Sequence, residues 1–260
     1  MSSLHPSQQH GFTLIEVLIA MLTSVVVTGA LFAILIVTLH QTSRITDRVQ
    51  ASQLGRTAMT KVVDELHSAC LSREYAPVRE KSTPSELRFA TGYSEKAVIE
   101  YKEASEHRIL WNGTYPGAGT LVDKTFNSTS SSTWPKFVFE TTATPTSGVR
   151  LAENIYAQSV ENKLTKVVTA VPIFQYYKYS ETASTGTATT PAGTLEAVEP
   201  PEKGFKAEEA KEIAAVQINL SQAPSDNNLK LGRSVEFASL VTFAFAAPNS
   251  EATITDGPCQ

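Results

Sequence analysis

The chain has 260 residues, of which 42% are hydrophobic and 18% charged, enough for one globular domain plus an apolar helix. Its net charge of −4 excludes the basic balance that a nucleic-acid binder normally carries, so no nucleic-acid partner is expected.

Residues 1–11 contain no Lys or Arg, only His5 and His10, and end at Gly11. From Phe12 to Leu39 the sequence is apolar, with Glu16 its one charge. As a helix this run of about 28 residues measures roughly 42 Å, against a hydrocarbon core of roughly 30 Å. A carboxylate inside such a helix costs about 2.5–3.5 kcal/mol on insertion scales, so Glu16 calls for compensation. A cut between Gly11 and Phe12 would place a new α-amino group four residues before Glu16, one helical turn away. An ordinary signal peptide needs only 7–15 apolar residues and a small-residue cleavage site, and this run is too long for one.

The string Gly11-Phe12-Thr13-Leu14-Ile15-Glu16 resembles the processing site of type IV prepilins and pseudopilins. The resemblance implies that prepilin peptidase cuts after Gly11 and that Phe12 becomes an N-methylated N-terminus. It also implies that Glu16 pairs with a neighbouring subunit's N-terminus during filament assembly. The implied partners are that peptidase, the cytoplasmic membrane and the N-terminal helices of other pilin subunits. Arg44, Arg48 and Arg56 follow the apolar run, and by basic-residue count alone the C-terminal side would face the cytoplasm. The resemblance implies the reverse, an exported head.

Beyond Leu39 the apolar residues become periodic, with Ile45, Val49, Ala58, Val62, Leu66 and Ala69 separated by charges such as Asp47, Lys61, Asp64 and Glu65. No proline occurs between Phe12 and Ala76, so the pattern predicts one helix from about residue 12 to about residue 72, roughly 90 Å long. Its half at 12–39 is the membrane and assembly half, and its half at 40–72 is amphipathic and packs on a globular head. Gly55 is an isolated interruption in that half. Gly29, near Thr23, Ser24 and Thr28, marks a softer section suited to close helix packing.

The head, residues 73–260, reads as β-rich. Strands are predicted at Glu86–Ala90, Ala97–Lys102 and His107–Trp111, with Asn112-Gly113 as a turn, then at Thr120–Phe126 and Lys136–Thr141. Val149–Ala157 suits either a short helix or a strand. Thr165–Tyr179 is strongly β, but Pro172 near its middle requires an edge strand or two strands. Ser180–Gly204, rich in Ser, Thr, Ala and Pro, reads as a mobile insertion. Ala207–Ala214 is helix-forming and leads into an alternating strand at Ala215–Leu220; a long strand follows at Ser234–Ala246. The expected fold class is therefore α+β, a long N-terminal helix on an antiparallel β-rich head. That layout resembles J-type pseudopilins of type II secretion and W-type minor pilins alike.

No HExxH, GxSxG, Walker or GxGxxG pattern is present, and the five histidines are scattered, with His40 and His67 too far apart on one helix to share a metal. Neither catalysis nor a metal or cofactor is expected. Cys70 and Cys259 are the only thiols. In an oxidising compartment they are a candidate disulfide contributing about 4–5 kcal/mol; the alternative is a buried Cys70 and a free Cys259. The functional expectation is a structural subunit of a type IV pilus or secretion pseudopilus. The rival is a membrane-anchored or secreted β-rich binding domain in which Glu16 is incidental.

Overall fold

The computed structural model describes residues 13–69, 76–91, 105–129, 138–139, 145, 147–180, 194–224 and 234–243. Helix α1, Leu14–His67, runs 54 residues without a break, as the absence of proline allows. The chain divides into two compact units, Met1–Asp47 and Arg48–Gln260.

Within the first unit α1 is exposed along its length. Leu18, Leu22, Val25, Leu31, Phe32, Ile36 and Leu39 all present their side chains outward. The segment is long and apolar enough to cross a membrane. Its threonine hydroxyls are paired inside the helix: Thr23 Oγ1 donates to the Ile19 and Ala20 carbonyls at 3.0 Å, Thr28 Oγ1 to the Ser24 carbonyl at 2.7 Å and Thr38 Oγ1 to the Ile34 carbonyl at 2.9 Å.

In the second unit the rest of α1 buries a stripe of Ala51, Gly55, Ala58, Met59, Val62 and Leu66, spaced by three and four residues. Ala58, Val62 and Leu66 lie on the expected face. Ile45 and Val49, expected on that face too, are 63% and 50% exposed. The helix ends at His67, short of residue 72, where Ser68 and Ala69 close the last turn on the Asp64, Glu65 and Leu66 carbonyls.

The strands are β1 (Glu86–Thr91), β2 (Ser105–Asn112), β3 (Gly119–Asn127), β4 (Ser147–Tyr156), β5 (Ser159–Glu161), β6 (Val168–Ala170), β7 (Phe174–Tyr179), β8 (Leu195–Val198), β9 (Ile213–Gln222) and β10 (Val235–Thr242). Helix α2, Ala207–Lys211, precedes β9. Eight strands form one sheet in the order β1-β2-β3-β4-β9-β7-β8, with β10 on the other edge of β9, and every pairing is antiparallel. β5 and β6 form a separate hairpin. The fold is α+β, the part of the long helix that belongs to the second unit lying on an antiparallel head.

Alternation decides which side chains reach the helix. Leu87 and Phe89 of β1, Ile109 and Trp111 of β2, Leu121 of β3, Phe174 and Tyr176 of β7 and Val216, Ile218 and Leu220 of β9 share one core with Met59, Val62 and Leu66. Polar tips within this core are satisfied. Trp111 Nε1 donates to the Ile155 carbonyl at 3.0 Å, and Tyr176 Oη donates to the carbonyls of Thr83 at 2.8 Å and Glu86 at 3.2 Å. On the opposite face of β7 and β9, Tyr177 Oη donates to Gln217 Oε1 at 2.7 Å, Gln217 Nε2 to Asn219 Oδ1 at 2.8 Å and Asn219 Nδ2 to Gln175 Oε1 at 3.1 Å.

The structure settles two readings left open and corrects two others. Val149–Ala157 falls to strand, as β4, with Asn154 in the left-handed region at φ 56°. The segment around Pro172 is two strands, β6 and β7, and Pro172 lies between them, where it interrupts no ladder. Part of Ser180–Gly204 is ordered: Leu195–Val198 pairs with Tyr176–Tyr179 as β8, and Gly204, at φ 79°, packs against the Lys81 backbone. The helix at 207 stops at Lys211, because β9 already begins at Ile213. The strand expected at Ala97–Lys102, Cys70, Cys259, and all but Val138 and Phe139 of Lys136–Thr141 lie outside the described residues.

Candidate functional site

Among the described residues, chemistry concentrates at the start of α1 and in a polar cluster under its last turn. At the start, Thr13 occupies the N-cap position and Glu16 the third helical position. The Thr13 backbone N–H donates to Glu16 Oε2 at 3.1 Å and Thr13 Oγ1 donates to the same oxygen at 3.0 Å. In return, Glu16 N–H donates to Thr13 Oγ1 at 3.4 Å and to the Thr13 carbonyl at 3.1 Å. This is a capping box, in which a hydroxyl residue and an acid three positions later satisfy each other's orphan donors. The signature Thr13-x-x-Glu16 is plain in the sequence, and reading Glu16 only as an assembly carboxylate misses it. The cap gives this acid a local role in starting the helix as well as an ionisable group near the chain's N-terminus. Gly11 and Phe12 lie outside the described residues.

At the other end of α1, Glu65 reaches His107 of β2 and Asp123 of β3. His107 Nδ1 lies 3.0 Å from Asp123 Oδ2, 3.2 Å from Asp123 Oδ1 and 3.9 Å from Glu65 Oε2. In register Ile109 faces Asp123, so His107, two residues before Ile109 on β2, meets Asp123 diagonally on the core face of the sheet. Asp123 is 3% exposed. Burial, followed by the nearby Asp123 charge, pushes the Glu65 carboxyl above its ordinary range. Lys61, one turn earlier, approaches Glu65 Oε1 at 3.9 Å. A histidine that the sequence leaves isolated is thus joined to two acids that read there as helix surface and strand.

On the opposite face of the same strands, Glu106 pairs with Arg79 Nε at 3.0 Å and with Arg108. The Arg108 guanidinium lies 3.8 Å above the Phe126 ring and that of Arg79 lies 4.6 Å above Phe139. Glu106 thus sits between two arginines, each of which also covers a phenyl ring.

A search against family profiles matches residues 6–39 to the prokaryotic N-terminal methylation motif. No curated protein and no solved structure shows significant similarity to the chain. The matched span covers Gly11, Phe12, the capping box and the apolar half of α1, and stops short of the head.

Proposed function

Because this chain is type IV prepilin-like in its N-terminal segment, we propose that it is a non-enzymatic structural subunit, a minor pilin or a pseudopilin, assembled into a filament through α1. The observation that carries this reading is the exposed apolar half of α1, whose one acid, Glu16, stands in the first turn inside the methylation motif. Prepilin peptidase cuts between Gly11 and Phe12 and Phe12 is N-methylated. The subunit then waits in the cytoplasmic membrane with its head on the outer side. An apolar helix leaves lipid only for another apolar surface, and the corresponding helices of neighbouring subunits supply one. Glu16 then sets axial register by pairing with a neighbour's Phe12 amine, since a carboxylate and an ammonium removed from water require each other.

The first test is the intact mass and N-terminal sequence of the protein recovered from its host's membranes. A chain that begins at Phe12 and carries one additional methyl group is expected; one that begins at Met1, or that is cut after Leu39, refutes the processing step. Replacement Glu16→Ala separates the filament role from simple anchoring. A filament subunit stays in the membrane and drops out of sheared filaments, whereas an anchored binding domain is indifferent.

A further inference from the structure

We propose that Glu65, His107 and Asp123 form a binding site for one divalent transition-metal ion of the zinc class, tying α1 to β2 and β3. One ligand atom from each residue, Glu65 Oε2, His107 Nδ1 and an Asp123 carboxylate oxygen, lies within 4.8 Å of the other two. A tetrahedral ion with bonds of about 2.0–2.2 Å spaces its ligands about 3.3–3.6 Å apart. The observed 3.0 and 3.9 Å separations from His107 Nδ1 bracket that range. Rotation of the Glu65 side chain closes the remainder, because its neighbours are carried on rigid strands.

The electrostatics point the same way. Two carboxylates face one imidazole beneath a helix, and Glu65 Oε2 is inaccessible to solvent with His107 Nδ1 3.9 Å away, beyond hydrogen-bond reach. A buried acceptor in that state costs about 1–3 kcal/mol, more when charged. Lys61 approaches the other oxygen, Oε1, at 3.9 Å, so His107 Nδ1, equally 3.9 Å away, is the group that faces Oε2. A cation between the three groups removes the deficit at one stroke.

The imidazole selects the class of ion. Ca²⁺ and Mg²⁺ take oxygen ligands almost exclusively, while one imidazole with two carboxylates suits zinc and its first-row neighbours. Phe89 stacks on His107 with centroids 5.4 Å apart and planes 12° apart, holding the ring so that Nδ1 faces both acids. Three protein ligands leave a fourth position for solvent, in keeping with half-buried Glu65 and His107 at the mouth of the cluster. The cluster lies wholly within the unit Arg48–Gln260, outside the apolar half of α1, so the inference stands apart from the filament reading.

The test uses the full-length chain without an affinity tag, in detergent micelles, stripped with EDTA and titrated with Zn²⁺. One zinc per chain is expected, with a melting temperature that rises with zinc concentration. Glu65→Gln and Asp123→Asn are expected to weaken binding at least tenfold, and His107→Gln to abolish it. His67→Gln, at an exposed histidine of the same helix, should bind like the wild type. Zinc K-edge absorption of the wild-type protein provides a readout that needs no variant: one imidazole, oxygen ligands and no sulfur. Failure to bind zinc stoichiometrically, unchanged binding by a folded His107→Gln variant, or sulfur in the zinc shell each overturns the site.

Discussion

Phe237 of β10 lies directly over Gly55 of α1, so closely that a Cβ on Gly55 would fall within 2.9 Å of three carbons of the phenyl ring. The glycine that weakens the helix on propensity grounds is the position where an aromatic ring meets the helix backbone. Gly55→Ala gains about 1 kcal/mol of helix propensity but forces the ring aside, which in a packed core costs about 1–3 kcal/mol. The variant is expected to be less stable than wild type in chemical denaturation. Adding Phe237→Ala should make the alanine at 55 neutral or favourable, a coupling that a double-mutant cycle reads directly.

The cap on α1 makes a second prediction. Thr13→Val removes the hydroxyl that accepts from Glu16 N–H and leaves the carboxylate with the Thr13 backbone N–H alone. Loss of an N-cap side chain costs about 1 kcal/mol, or about fivefold in a local opening equilibrium. Hydrogen exchange of the Glu16 and Val17 amides in micelles should accelerate by about that factor, with exchange beyond Ala20 unchanged.

Tyr176 is fully buried, and burial raises its phenol well above the usual value of about 10. A pKa raised by folding means stability that is fully present below the unfolded value and is lost as pH climbs past it. Below pH 9, Tyr176→Phe should cost about 1–2 kcal/mol, because the Thr83 carbonyl loses its donor from the phenol. Above pH 10 the wild type alone pays for phenol ionisation at this position on unfolding's side of the balance, so the gap should narrow. Denaturant titrations at pH 8 and pH 11 measure both numbers.

Leu66 and Leu164 separate core from surface. Leu66 is 1% exposed among the residues that join α1 to the sheet, and Leu164, between β5 and β6, is 94% exposed. Leu66→Ala should destabilise by about 2–5 kcal/mol and Leu164→Ala by less than about 0.5 kcal/mol, on the same denaturation assay.

What could be read from residues alone follows from the range of the interaction that fixes each feature. The apolar run and the strands at Glu86, His107, Thr120, Ala215 and Ser234 are legible because local periodicity matches burial. The start of the buried stripe of α1 is not, since Ala51 and Gly55 are buried for being small and carry little hydrophobic signal, whereas Ile45 and Val49 carry the signal and are exposed. β8 is hidden by its setting in a polar stretch and by Glu196 within its four residues; pairing with Tyr176–Tyr179 makes it a strand. Of the candidate sites, the Glu16 motif is contiguous and can be recognised as a string. The Glu65, His107 and Asp123 cluster draws on a helix and two strands far apart in sequence, and only the sheet register brings its members together.

The threonines in the apolar half of α1 carry their hydrogen-bond acceptors with them, one turn back along the same helix. Such a rod is portable between media. Whether its flanks are wrapped in acyl chains or in other helices, Thr23, Thr28 and Thr38 seek no new partners, so its passage from one surrounding to the other breaks none of these bonds.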